Sequence, residues 1–158
     1  MKALSVRQPW AFAIARMEKR FENRDWRTVD SALPKTLAIH ASKGMTRNEY
    51  DDFMCFIHDN FAEKSLFVGG AVSQTGVSLH TLGFPNFKNM VRGAVIAVAR
   101  PLRWVDESKS KWFVGKYAIE FADDVIALPQ PVPCVGRLGF FELPDDIAQE
   151  VEKQITVR

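Results

Sequence analysis

The stretch LSVRQPWAFAIARMEKRFENRDWRT (4–28), followed after Pro34 by LAIHASKG (37–44), decides how this chain begins to fold. The short apolar run Ala3 to Val6 has the length of a buried strand, and Pro9 stands where the first turn of a helix tolerates proline. A helix of about ten residues is predicted from there, with Trp10, Ala13, Ile14 and Met17 on one face and Glu18, Lys19 and Arg20 at its far end. Arg20 to Trp26 alternates as a strand carrying polar groups on one face. A further strand, Thr36 to His40, delivers the HASKG loop.

Working outward, Thr46 and Glu49 form a capping-box pattern, and Tyr50, Phe53, Met54, Ile57 and Phe61 hold the spacing of a core-facing helical stripe. Residues 64–92 show neither period and read as loop with one short helix, either a lid over a binding site or an insertion without catalytic meaning. Strands are predicted at Gly93–Ala99, Tyr117–Phe121, Val125–Leu128 and Leu138–Leu143. Pro129, Pro131, Pro133, Gly136 and Gly139 are assigned to turns or bulges before the last of these. Pro144-Asp145-Asp146 opens a final helix with Ile147, Val151 and Ile155 on one side. The expected fold is α+β, a small, curved, mostly antiparallel sheet or β-barrel with flanking helices, in a single domain over 1–158.

Size and composition agree with a packed domain. The 158 residues are 47% hydrophobic and include twelve Phe and four Trp, enough large apolar volume for one core. The net charge of +2 hides an asymmetry, because residues 1–43 hold nine basic against four acidic side chains. That distribution suits an anionic ligand. Two cysteines, Cys55 and Cys134, no signal-peptide pattern and no long apolar run predict a reducing, cytoplasmic setting without a membrane span. Two isolated cysteines and three dispersed histidines lack the ligand spacing of a zinc site, and no cofactor is expected.

The order of LSVRQPWA, MEKRFENR, HASKG, GAVIAVARPL, WFVGKYAIEF and PVPCVGRLGFFEL resembles the ASCH domain family, a branch of the PUA-like superfamily. The likeness covers residues 3–43 and 93–143 and leaves about 45–92 as a variable insertion. It implies a PUA-like β-barrel with flanking helices and a cleft for RNA, a nucleotide or a modified nucleoside. In parts of that family it also implies RNA cleavage or amide hydrolysis of N4-acetylcytidine. The run MEKRFENR resembles a G-x-K-x-x-E-x-R signature, which places Lys19, Glu22 and Arg24 on its polar positions, with Met17 where glycine is usual. In the compact amidohydrolase branch a threonine stands in the place of Glu22, so that branch's chemistry does not transfer directly.

Read as chemistry, Glu22 and Arg24 share a strand face and Lys19 comes from the preceding turn. Arg24 suits a phosphate or carbonyl oxygen, Lys19 electrostatic stabilisation, and Glu22 a base edge or a proton. A solvated ion-pair ladder is the plainer alternative. Lys43 is the strongest single candidate, for a phosphate or an oxyanion, with Ser42 as donor and His40 as proton carrier. For His40 a packed imidazole bonded to backbone is the favoured reading. Trp26, Trp112 and Phe113 are candidate stacking faces, Trp112 because Lys109, Ser110 and Lys111 precede it. Tyr117 and Arg137 are candidates for the opposite wall. The favoured function is an RNA- or nucleotide-binding module. Two alternatives stand beside it: a hydrolase using Lys19, Glu22 and Lys43, or a protein-interaction module built on the helix 46–61 and the loop to residue 92.

Overall fold

The computed structural model describes residues 1–61 and 83–157. Three helices and eight strands are found among the described residues. They are β1 (Lys2–Val6), α1 (Trp10–Arg16), β2 (Phe21–Arg24), β3 (Leu37–Ala41), α2 (Arg47–Phe61), β4 (Ala94–Ala99), β5 (Pro101–Val105), β6 (Tyr117–Phe121), β7 (Ile126–Pro133), β8 (Phe140–Glu142) and α3 (Asp145–Thr156).

The strands hydrogen-bond as two sheets. The larger has the order β7-β4-β3-β1-β8 and the smaller β2-β6-β5, and every pairing is antiparallel except β1 with β3. The architecture is therefore α+β and mostly antiparallel. Arg100 alone separates β4 from β5, so one continuous run of chain leaves the large sheet and enters the small one. Ala122 N–H donates to the Arg100 carbonyl at 3.0 Å and the Arg100 guanidinium lies 3.1 Å from Asp124, which fixes the bend.

Side-chain alternation gives the large sheet two different faces. Leu4 and Val6 of β1 and Leu37, Ile39 and Ala41 of β3 pack with Ile14 of α1 and with Trp104, Ile119 and Phe121 of the small sheet. Ala3 and Ala38 point the other way, into a second cluster with Val95, Val132, Phe141 and the α3 residues Ala148 and Val151. All five residues of β3 are buried, as expected for a strand with neighbours on both edges and layers on both faces. A third cluster joins Phe12, Ala13 and Met17 to Phe53, Ile57 and Phe61 of α2 and to Trp112.

Helix α2 begins as its sequence predicts. Glu49 N–H donates to Thr46 Oγ1 at 3.1 Å, and Thr46 N–H donates to the Glu49 carboxylate at 2.6 Å. Its stripe is spent on the interior, with Phe53 and Ile57 fully buried and the Tyr50 hydroxyl donating to the Pro85 carbonyl at 2.9 Å. Tyr50 and Met54 of the same stripe are half-buried.

Several expectations differ from the structure, among them the last strand, expected over Leu138–Leu143 and found only at Phe140–Glu142 because Leu138 and Gly139 belong to the loop before it. Strand β7 continues through Pro129, Pro131 and Pro133 instead of ending at Leu128. It is an edge strand, where a missing N–H costs least, and its register against β4 shifts across this segment. Strand β5 has no counterpart in the sequence reading, because Leu102 and Arg103 are exposed and only Trp104 signals burial. The predicted first helix is shorter, at seven residues. Of the predicted loop 64–92, positions to 82 lie outside the described residues, and the remainder includes a 3-10 turn at Phe87–Asn89.

Candidate functional site

Lys19, Glu22 and Arg24 lie on one face of the large sheet, and His40, Ser42, Lys43 and Arg137 on the other. Glu22 and Arg24 stand opposite Ile119 and Tyr117 in the β2–β6 ladder and therefore face the interior between the sheets. Lys19, after the turn in which Glu18 takes a φ of 57°, points back into the same space. Its ammonium donates to the Phe21 carbonyl and to Glu22 Oε2 at 3.0 Å, and Glu22 Oε1 receives Arg24 Nη2 at 3.2 Å. The ion-pair row predicted from spacing thus forms, but inside the protein, with Lys19 1% and Glu22 7% exposed.

Burial pushes the Lys19 ammonium below the ordinary lysine range, and the neighbouring Glu22 carboxylate opposes that shift. Trp10 lies 5.9 Å from the ammonium and Trp26 lies 6.0 Å from the Arg24 guanidinium, so an aromatic ring flanks each cation. Arg24 Nη2 also donates to the Ser5 carbonyl at 2.6 Å, while its Nε is buried without a partner among the described residues. Two cations around one carboxylate leave this cluster an excess positive charge.

On the other face, Ser42 and Lys43 leave β3 at its carboxyl end and line an open cleft of about 1190 Å³. Arg92 enters from the segment before β4 and Arg137 from the loop between β7 and β8. Lys43, Arg92 and Arg137 are all exposed, and none forms a salt bridge among the described residues. Glu142 and Asp146 supply the acidic side of the rim, and Val135, Leu138, Phe141 and Ile147 an apolar one.

His40 forms part of the floor of this cleft and is almost wholly buried. Its Nε2 lies 2.8 Å from the Cys134 carbonyl and so carries the proton, leaving Nδ1 to accept from the Ser5 hydroxyl at 3.0 Å. Burial moves its pKa below the ordinary imidazole value, with the Cys134 bond opposing. Both ring nitrogens are occupied, which matches the packed imidazole favoured from sequence. Gly136 presses on this pair, since a Cβ there would stand 2.5 Å from His40 Cε1 and 2.6 Å from Ser5 Oγ.

The remaining candidates lie elsewhere. Trp112 is buried against Phe56 and Phe61 and offers no face to solvent. Lys111 beside it is exposed, near a recess of about 300 Å³ whose walls include Glu18, Glu120 and Asp123, a poor setting for phosphate. Trp26 is half-buried against Trp104 and Phe140. Tyr117 carries the Arg27 guanidinium at 4.9 Å and the Lys116 ammonium at 5.2 Å from its ring centre. Lys111, Trp112 and Tyr117 are therefore not among the residues that line the cleft with Lys43.

Sequence reading named Arg137 as a wall candidate but missed Ser5, Arg92, Val135, Leu138 and Asp146 as parts of the cleft. The signal present was Gly136-Arg137-Leu138-Gly139, a cation and an apolar residue held between two glycines. Among the described residues no cluster of three or more His, Cys, Asp or Glu side chains can hold a metal ion. Nor is any helix among them long and apolar enough to cross a membrane. No family model matches this chain, and none of the curated proteins matches it.

Proposed function

We propose that this chain is an RNA- or nucleotide-binding module of the ASCH, PUA-like kind, working in the cytoplasm, with its ligand in the cleft beside α3. The carrying observation is the convergence of Lys43, Arg92 and Arg137, three cations from three separate segments without an ion-pair partner among the described residues, on one concave surface. Guanidinium and ammonium groups on such a surface hold phosphate oxygens, and the Ser42 hydroxyl adds a donor. On this reading the two sheets, joined at the Arg100 bend, correspond to the walls of a PUA-like barrel. RNA binding is measured over a salt series with wild type and Lys43→Ala. The variant is expected to bind more weakly and to lower the salt slope by about 1. An unchanged slope counts against a phosphate contact at Lys43.

One observation favours hydrolysis as a second reading: Lys19 is a buried amine with a lowered pKa in contact with a carboxylate, an arrangement suited to moving a proton. Amide hydrolysis of a modified nucleoside such as N4-acetylcytidine is the reaction to test, alongside RNA cleavage. The protein is incubated with each substrate, with and without chelator, as wild type, Lys19→Ala and Lys43→Ala. Turnover undiminished in both variants removes these residues as the site. Absence of turnover with either substrate favours simple binding.

A further inference from the structure

Leu138 is 100% exposed and Val135 82%, the two most exposed large hydrophobic side chains among the described residues. Neither sits on a loose tail. Their loop is tied down where the Cys134 carbonyl meets His40 and where the Gly136 backbone presses on His40 and Ser5, and Gly139 turns the chain back at a φ of 65°. A small aliphatic surface is thus held at the rim of a cleft that also carries three cations and two carboxylates, with Arg137 between its two members. Purely ionic ligands leave that surface wet.

We propose that the cleft takes a single-stranded segment, with an unpaired base laid against Val135 and Leu138 while Lys43, Arg92 and Arg137 hold the flanking phosphates; this rests on reading the cleft as an RNA site. A duplex offers phosphates and sugars but hides its base faces, whereas a single strand presents a flat apolar face next to each phosphate. The carboxylates of Asp146 and Glu142 agree with this choice. They oppose a phosphate-rich surface, yet accept hydrogen bonds from the exocyclic amines that an unpaired base exposes. Asp146 is close enough to Cys134, in the same wall, to help hold its thiol pKa up after burial, while Arg137 acts in the opposite sense.

The test compares a short mixed-sequence RNA strand, the corresponding duplex, an abasic ribose-phosphate strand of equal length and phosphatidylserine vesicles. Each is titrated by fluorescence anisotropy or co-sedimentation against wild type and Val135→Ser/Leu138→Ser, two surface changes whose folding is verified by thermal melting. The single strand is expected to bind about tenfold tighter than the duplex or the abasic strand, on the order of what covering two exposed aliphatic side chains with a base face supplies. The double variant is expected to bring it down to the abasic level. Equal binding of strand, duplex and abasic strand overturns the base contact and leaves the RNA site standing. Failure of all three RNAs overturns both readings. Vesicle binding that depends on Leu138, with no preference for single strand, overturns the proposal in favour of a membrane surface.

Discussion

Ser5 and His40 are register partners on the parallel strands β1 and β3, and the serine hydroxyl lies 3.0 Å from Nδ1 of the imidazole. Both side chains point toward the cleft face, and the other ring nitrogen holds the Cys134 carbonyl at the base of the loop that carries Arg137. His40 therefore acts on any ligand through the backbone it positions.

That geometry has a pH signature. The folded pKa of His40 lies below the ordinary value of about 6.5, so between the two values the unfolded chain binds more protons than the folded one. Stability is expected to be full above the unfolded pKa and to fall with pH from about 6.5 downward until the folded pKa is reached. Urea unfolding at a series of pH values measures this. His40→Gln, which keeps an N–H for the Cys134 carbonyl, should flatten the slope in that window, and an identical slope in the variant would assign the effect to other groups.

Gly136→Ala tests the contact from the loop side. The new methyl group cannot fit 2.5 Å from His40 Cε1, so the loop backbone has to move. A loss of about 1–3 kcal/mol is expected, as for other overpacked sites. RNA affinity should fall as well, because Arg137 and Leu138 move with the loop. Calorimetry and an RNA titration separate the two effects, and unaltered affinity in a folded variant would detach the loop from the site.

Much of this arrangement was legible in the sequence where a local period or a cap decides structure. Strand β6 has its predicted bounds, Tyr117–Phe121, and the Thr46–Glu49 box opens α2. Lys43 and Ser42 were placed at the mouth of a strand by the run LAIHASKG, as observed. Alternation also brought Glu22 and Arg24 to one face. It did not tell which face is interior, because that depends on the small sheet packing over the large one. Alternation alone therefore does not separate the buried Lys19 cluster from the exposed Lys43 cleft, nor show that Phe56 and Phe61 cover the stacking face expected of Trp112. Strand β7 failed for a different reason: proline reads as a breaker unless the strand is known to be at an edge.

The Lys19–Glu22 pair makes a stability prediction independent of any catalytic role. Removing one partner of a buried ion pair strands the other, at a cost of about 3–5 kcal/mol. Glu22→Gln leaves two cations, Lys19 and Arg24, facing a neutral amide, and is the more damaging single change. Lys19→Met leaves Glu22 with Arg24 at 3.2 Å and should cost less. The double variant is expected to be more stable than the sum of the single losses implies, as a double-mutant cycle in urea would show. Additive losses would mean that the two side chains are not coupled.

Glu49 serves two partners, and their relative weight follows from exposure. It caps Thr46 N–H and also receives the Arg7 guanidinium at 2.5 and 2.6 Å, joining the β1–α1 turn to the start of α2. The Arg7 side chain is 50% exposed and that of Glu49 33%, so solvent screens the ion pair to about 0–1 kcal/mol. Loss of a threonine cap costs about 0.5–2 kcal/mol. Thr46→Ala is therefore expected to destabilise more than Arg7→Ala, and only the Arg7 effect should shrink in high salt. The Arg7 hydrogen bond holds the Glu49 carboxyl below its usual range, so this contribution is present at neutral pH. It disappears as pH falls from the unfolded carboxylate value, about 4.3, through the lower folded one. Thermal melts of both variants at low and high salt, at pH 7 and in acid, measure each part, and a larger loss for Arg7→Ala at high salt would reverse the ranking.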